Sequence, residues 1–150
     1  MIKPTPKQIA WFIPPAYLFH LADEYFTGFQ HWFSGIFKVD LSPNDFIIIN
    51  SIGFSATVIA AVLFSTNKLN HFVIAVIATL LFINGVVHIA ASVFTVRYVP
   101  GTLSAILFYF PLGYLTYKVI FPLLSPLQRK LSVAVGLFAQ IVVAAIAMTI

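Results

Sequence analysis

The sequence predicts an all-α polytopic membrane protein, and three observations carry that prediction. Of 150 residues, 61% are hydrophobic and 8% are charged, whereas soluble domains run near half apolar and about a quarter charged. The mean hydropathy is +1.01. The apolar residues also gather into runs of about 20, the length that crosses a hydrocarbon layer of about 30 Å. Eight basic and four acidic residues are too few to clothe a water-soluble domain of this size. Lipid is therefore the expected solvent for most of the surface.

Five spans are expected, at about residues 8–26, 43–65, 71–94, 101–124 and 131–150, in a single integral membrane domain. An interfacial amphipathic helix is expected at about residues 28–40. The first span is irregular because it contains Pro14-Pro15 and then His20, Asp23 and Glu24, so it kinks at the prolines or becomes regular only after them. The polar cluster that follows its apolar stretch is unlike a signal-peptide cleavage site, and the segment is read as retained. Phe29, Trp32, Phe33, Ile36 and Phe37 recur at helical spacing with Gln30, His31, Ser34 and Lys38 between them, which is one apolar face lying in the plane of an interface. Ser42 can cap the second span, and Pro43 suits its first turn. Pro100-Gly101 opens the fourth, while Pro122 and Pro126 bracket its end.

Orientation follows from the cations, since Lys and Arg are retained on the cytoplasmic side. With a cytoplasmic N-terminus and an external C-terminus, that side holds Lys3, Lys7, Lys68, Lys118, Arg129 and Lys130, and the other holds Lys38 and Arg97. A re-entrant first segment would even the count, so a full crossing is expected. The same scattered placement argues against nucleic acid as a partner. No cysteine is present, which excludes disulfides, thiolate metal sites and a cysteine nucleophile.

Under this topology the strongly polar residues fall in one outer layer: His20, Asp23 and Glu24 in the first span, Asn50 in the second, Asn84 and His88 in the third, Ser104 in the fourth, with Arg97 in the loop beyond. His20 and Glu24 are four residues apart, as are Asn84 and His88, so each pair shares a helix face. A carboxylate at the centre of a span costs about 2.5 to 3.5 kcal/mol and less toward its ends, so such groups face inward and pair or mark function.

Imidazole and carboxylate together suit zinc, iron or manganese. In that reading His20, Glu24 and His88 ligate a divalent metal, and Asp23 is a fourth ligand or general base alongside Glu24 as catalytic carboxylates. Asn50 and Asn84 stand behind the ligands or touch substrate, and Arg97 neutralises an anionic head group. The protein would then be a metal-dependent enzyme, hydrolytic or lipid-modifying, acting on a lipid or an apolar small molecule near the outer leaflet. Other readings stay open. The same groups could be polar glue between helices in a non-catalytic subunit, or a charge relay in a small proton-coupled transporter or channel. A haem between His20 and His88 is disfavoured, because two flanking carboxylates serve no purpose there. Tyr109, Tyr114 and Tyr117 read as packing and belt residues. Gly53, Ser55, Ala56, Ala144, Ala145 and Ala147 permit close helix approach within a chain or in an oligomer.

His20-Leu21-Ala22-Asp23-Glu24 resembles the signature of the HXXEE family of small bacterial integral membrane proteins, with Asp23 in place of the first glutamate. Tyr25 to Phe29 with Trp32, Asn84 to His88, and Arg97 to Thr102 are similar to that family in the same order. The resemblance implies a bacterial cytoplasmic membrane and adds weight to His20, Asp23, Glu24, Asn84, His88 and Arg97. It implies no particular reaction.

Overall fold

The structure, a computed structural model, describes residues 4–149; Lys3, counted above among the cytoplasmic cations, and Ile150, the last residue of the expected fifth span, lie outside them. All regular structure among the described residues is helical: α1 (Pro6–Thr27), α2 (Phe29–Phe37), α3 (Pro43–Ser65), α4 (His71–Thr95), α5 (Thr102–Leu123) and α6 (Pro126–Ala147). Four of these, α3 to α6, are long and apolar enough to cross a membrane. Their outward faces carry large exposed apolar side chains such as Ile52, Val93 and Phe138, consistent with lipid contact.

α1 is not among those four. Its Lys7, Asp23 and Glu24 and its run of prolines lower its hydropathy, although 22 residues rise roughly 33 Å. It is nevertheless one helix through Pro14 and Pro15. The carbonyls of Ala10 and Trp11 lose their usual donors there, a loss that helices tolerate when packed among neighbours. Thr5 and Gln8 form a reciprocal capping box at its start, and Gly28 ends it at φ 84°, a left-handed cap that glycine adopts without a Cβ penalty. The Lys7 ammonium donates to the Ser65 carbonyl at the end of α3. At the other end of α1 the Tyr25 ring packs on Phe46 near the start of α3. α1 thus runs antiparallel along the full length of α3.

α2 covers only Phe29–Phe37, shorter than the expected 28–40, because Lys38 turns left-handed at φ 60° and caps it. α3 begins as expected, with the Ser42 hydroxyl accepting from the Asp45 amide at 3.1 Å and Pro43 in the first turn. α5 is composite. After one α turn, Ala105–Tyr109 is a π-helix in which the Phe110 amide reaches back to Ala105. Pro111 follows immediately and cannot donate to the preceding turn, which accounts for the local widening. α6 starts at Pro126, ahead of the expected 131, because Ser125 and Gln128 form a second capping box. The Arg129 guanidinium then donates to the Phe121 and Leu124 carbonyls at 2.8 and 3.1 Å, satisfying the end of α5.

Ile9, Phe64, Ile74, Ile120 and Leu124 form a core at one end of the helices, the end that carries Lys7, Lys68, Lys118, Arg129 and Lys130. The opposite end holds a smaller cluster of Phe33, Leu41 and Phe46, with Ala147 against it. α6 approaches α4 closely at Gly136, where a Cβ would lie 2.9 Å from the Thr79 side chain.

Candidate metal centre

One turn of α1 brings His20 and Glu24 to the same face, and both are buried; one turn of α4 brings His88, also buried, opposite them. Glu24 Oε1 lies 3.1 Å from His88 Nε2 and 3.5 Å from His20 Nε2. The two imidazoles meet edge to face at 4.9 Å between ring centres. One ligand atom from each of the three residues falls within 4.8 Å of the others, a group that can hold a metal ion. His20 Nε2 is buried without a hydrogen-bond partner, a condition a cation at the centre of the group would relieve. The donor set fits: two neutral imidazoles and one carboxylate leave a divalent ion with open positions.

The second nitrogen of His20 is differently placed. Its Nδ1 is 2.9 Å from Ser104 Oγ, while Ser104 Oγ and the Ser104 amide donate to Asp23 Oδ2 at 2.7 and 2.9 Å. The Ser104 hydroxyl has one hydrogen, and Asp23 Oδ2 or the Gly101 carbonyl at 3.0 Å takes it. The hydroxyl oxygen therefore accepts from His20 Nδ1–H, so that in the neutral imidazole the Nε2 lone pair faces Glu24. Asp23 Oδ1 accepts from the Tyr98 hydroxyl at 2.8 Å. Burial, and then the bond to Asp23, hold the Tyr98 hydroxyl above its usual pKa, so it remains the donor.

Asp23 thus reaches the site through Ser104 and lies outside the three-residue group. Its expected place as a fourth ligand gives way to a hydrogen-bonded chain, because both of its oxygens are engaged by the start of α5 and the loop before it.

That loop is itself fastened over the histidines. Ser92 Oγ accepts from the Val99 amide at 3.0 Å and bonds the Thr102 hydroxyl at 2.7 Å. Gly101 has φ +90°, and a Cβ there would lie 2.8 to 2.9 Å from His88 and His20 ring atoms. Glycine is required on both counts, conformation and space. Tyr109 is buried with its ring 4.3 Å from that of His20, and Phe29 of α2 packs 5.7 Å from His88.

The remaining expected residues are distributed unevenly. Asn50 accepts from the Tyr17 hydroxyl at 2.9 Å and donates to the Phe46 carbonyl. Asn84 Oδ1 is buried without a partner. Both line a cavity of about 470 Å³ that also contains His20, Glu24 and His88. Arg97 is not there: its side chain is exposed, forms no ion pair among the described residues, and does not line the cavity. Tyr98, its neighbour, is the residue that reaches Asp23. Sequence reasoning missed Ser104, Gly101 and Tyr109 as site residues. Ser104 stood at the right depth for the polar layer, but nothing in helical spacing signals that a serine will bridge an acid and an imidazole on another helix.

Fold and site together define an all-helical protein with membrane-length apolar helices and a buried His–Glu–His group that can hold a metal ion. Residues 11–116 match the family described as a protein of unknown function with HXXEE motif, and the chain belongs to that family. The matched segment contains His20, Asp23, Glu24, His88 and Ser104, while α6 with Gln140 lies beyond it. No curated protein and no solved structure matches the chain.

Proposed function

We propose that this protein is a metal-dependent membrane enzyme in which His20, Glu24 and His88 ligate a divalent ion of zinc, iron or manganese type. The carrying observation is that three buried side chains of ligand type converge with their ligand atoms within 4.8 Å, in a chain with only four carboxylates. Such an ion supplies Lewis acidity and a more acidic bound water, which would suit hydrolysis or another modification of a lipid or apolar molecule. Asp23 is a positioning residue acting through Ser104, in the manner of the outer carboxylates that fix histidine ligands. Glu24 and the ligands it joins touch the reacting group. α1 runs alongside the length of α3, which supports a single domain of five crossings, and the gathering of Lys7, Lys68, Lys118, Arg129 and Lys130 at one end supports a cytoplasmic N-terminus, an external C-terminus and a site toward the outer leaflet.

Metal analysis of detergent-purified protein tests this. Stoichiometric metal in the parent and its loss in folded His20→Ala and His88→Ala are expected; a metal-free, fully folded parent overturns the reading.

One observation favours a second reading, proton transfer. Tyr98, Asp23, Ser104 and His20 Nδ1 form a chain of hydrogen bonds starting at an exposed residue, and His20 Nε2 at its inner end stands 3.5 Å from the buried Glu24 carboxylate. It predicts pH-driven flux in liposomes without added metal, abolished by Glu24→Gln.

A further inference from the structure

The cavity around the cluster says what kind of molecule is brought to it. Its polar end is formed by His20, Glu24, His88, Asn50, Asn84 and Gln140, and the rest of the wall is almost wholly apolar, including Trp32, Ile36, Ile49, Leu80 and Val143. Among the described residues no Lys or Arg lines it, and Glu24 is its one carboxylate. A phosphate or sulfate placed there would find no guanidinium or ammonium on the wall, and an ion held at the Glu24 end would be its sole counter-charge, already half neutralised by that carboxylate. Buried acceptors do stand beside the cavity, since Asn84 Oδ1 and Gln140 Oε1 have no partner.

The way in is equally informative. α3 and α6 scarcely touch each other, and the cavity is lined by Ala56 and Thr57 of α3 and by Val143 and Ala144 of α6. Ala56 and Val143 are also exposed on the outer surface, and both helices are long and apolar enough to cross a membrane, so a passage between them leads to lipid rather than to water. The apolar face of α2 contributes Trp32, Phe33, Ile36 and Phe37 to the wall of this cavity, with Ile36 half exposed.

We infer that the cavity takes an uncharged single-chain lipid bearing an oxygen function, such as a long-chain alcohol, which enters between α3 and α6. Its tail lies along Ile49, Leu80 and Val143, and its oxygen lies at the His20, Glu24 and His88 end. The inference rests on the metal-centre reading for what happens to that oxygen, but the binding itself is separately measurable.

The test uses the full-length protein in vesicles of neutral lipid with two photoactivatable probes of equal chain length, a long-chain alcohol and a phosphatidic acid. The alcohol should label residues of α3 and α6 that line the cavity, and the phosphatidic acid should label them at least about tenfold less, given the cost of an unpaired buried charge. Ala144→Trp and, on the opposite wall, Ala56→Phe fill the gap and should each reduce alcohol labelling about tenfold while leaving metal content and thermal unfolding unchanged. Equal labelling by phosphatidic acid, or labelling undiminished in whichever variants fold as the parent does, overturns the inference. Metal content measured on the same samples separates the two readings: metal without cavity labelling fails the lipid inference alone, and cavity labelling without metal fails the metal centre alone.

Discussion

The two ends of this helix bundle are built on opposite principles. At the end that bears Lys7, Lys68 and Arg129, Ile9, Ile74 and Ile120 pack between the helices, each fully buried, with cations at the rim engaging carbonyls of neighbouring helix ends. At the other end, the same α1, α4 and α5 bury His20, Glu24, His88 and Ser104 and leave a cavity of about 470 Å³. Apolar packing needs no particular partner, so the first end tolerates exchange among similar shapes. The second end consists of directional contacts, and among the described residues His20 Nε2, His88 Nδ1 and Asn84 Oδ1 have no partner there, a deficit that a bound cation or ligand would relieve.

Substitutions at the two ends should separate these roles. The largest expected effect is at Glu24, which stands between both imidazoles: Glu24→Gln should remove stoichiometric metal altogether, read by elemental analysis of protein that unfolds at the parent temperature. Retained metal would leave the carboxylate without the role assigned to it. Next, Ile74→Ala at the packed end should cost about 2 to 5 kcal/mol of stability yet keep metal stoichiometry; a parallel loss of metal would show that the two ends are not separable.

Ser104→Ala should weaken metal affinity about 10- to 100-fold, the range seen when a partner behind a histidine ligand is lost. Ser104→Thr keeps the hydroxyl and should restore affinity. The nitrogen-15 shifts of His20 offer a readout that a purely structural serine would not move, since the parent should show the Nδ1–H tautomer and the alanine variant a mixture. The smallest effect is expected at Arg97, whose Ala variant should change metal affinity and alcohol labelling by less than about twofold, in keeping with an exposed side chain that makes no ion pair among the described residues. A larger change would bring Arg97 back into the site.

Much of this was legible before any coordinates. The apolar runs of α3 and α4 and the caps at Ser42 and Pro43 follow from local chemistry: a span must be apolar throughout and must satisfy its first amides within itself. His20 with Glu24 and Asn84 with His88 were visible because α-helical spacing stacks residues four apart. The length of α2 was less legible, since a left-handed Lys38 carries no sequence signal of the kind that Gly28 does. The start of α6 depends on the capping box of Ser125 and Gln128, which extends the helix one turn ahead of the apolar run through the polar residues Gln128, Arg129 and Lys130.

By itself, then, the sequence determined the apolar character, the helical class, the polar layer and the residues that could hold a cation, because these follow from composition and from periodicity along one helix. Only the tertiary structure decided which polar residues meet. It placed Glu24 between two imidazoles from different helices, diverted Asp23 to Ser104, left Arg97 outside, and made glycine obligatory at Gly101. Those outcomes depend on how α1, α4 and α5 rotate and approach one another, and on a π-turn before Pro111. Rotation of one helix against another is set by packing over its whole length, and no short stretch of sequence encodes it.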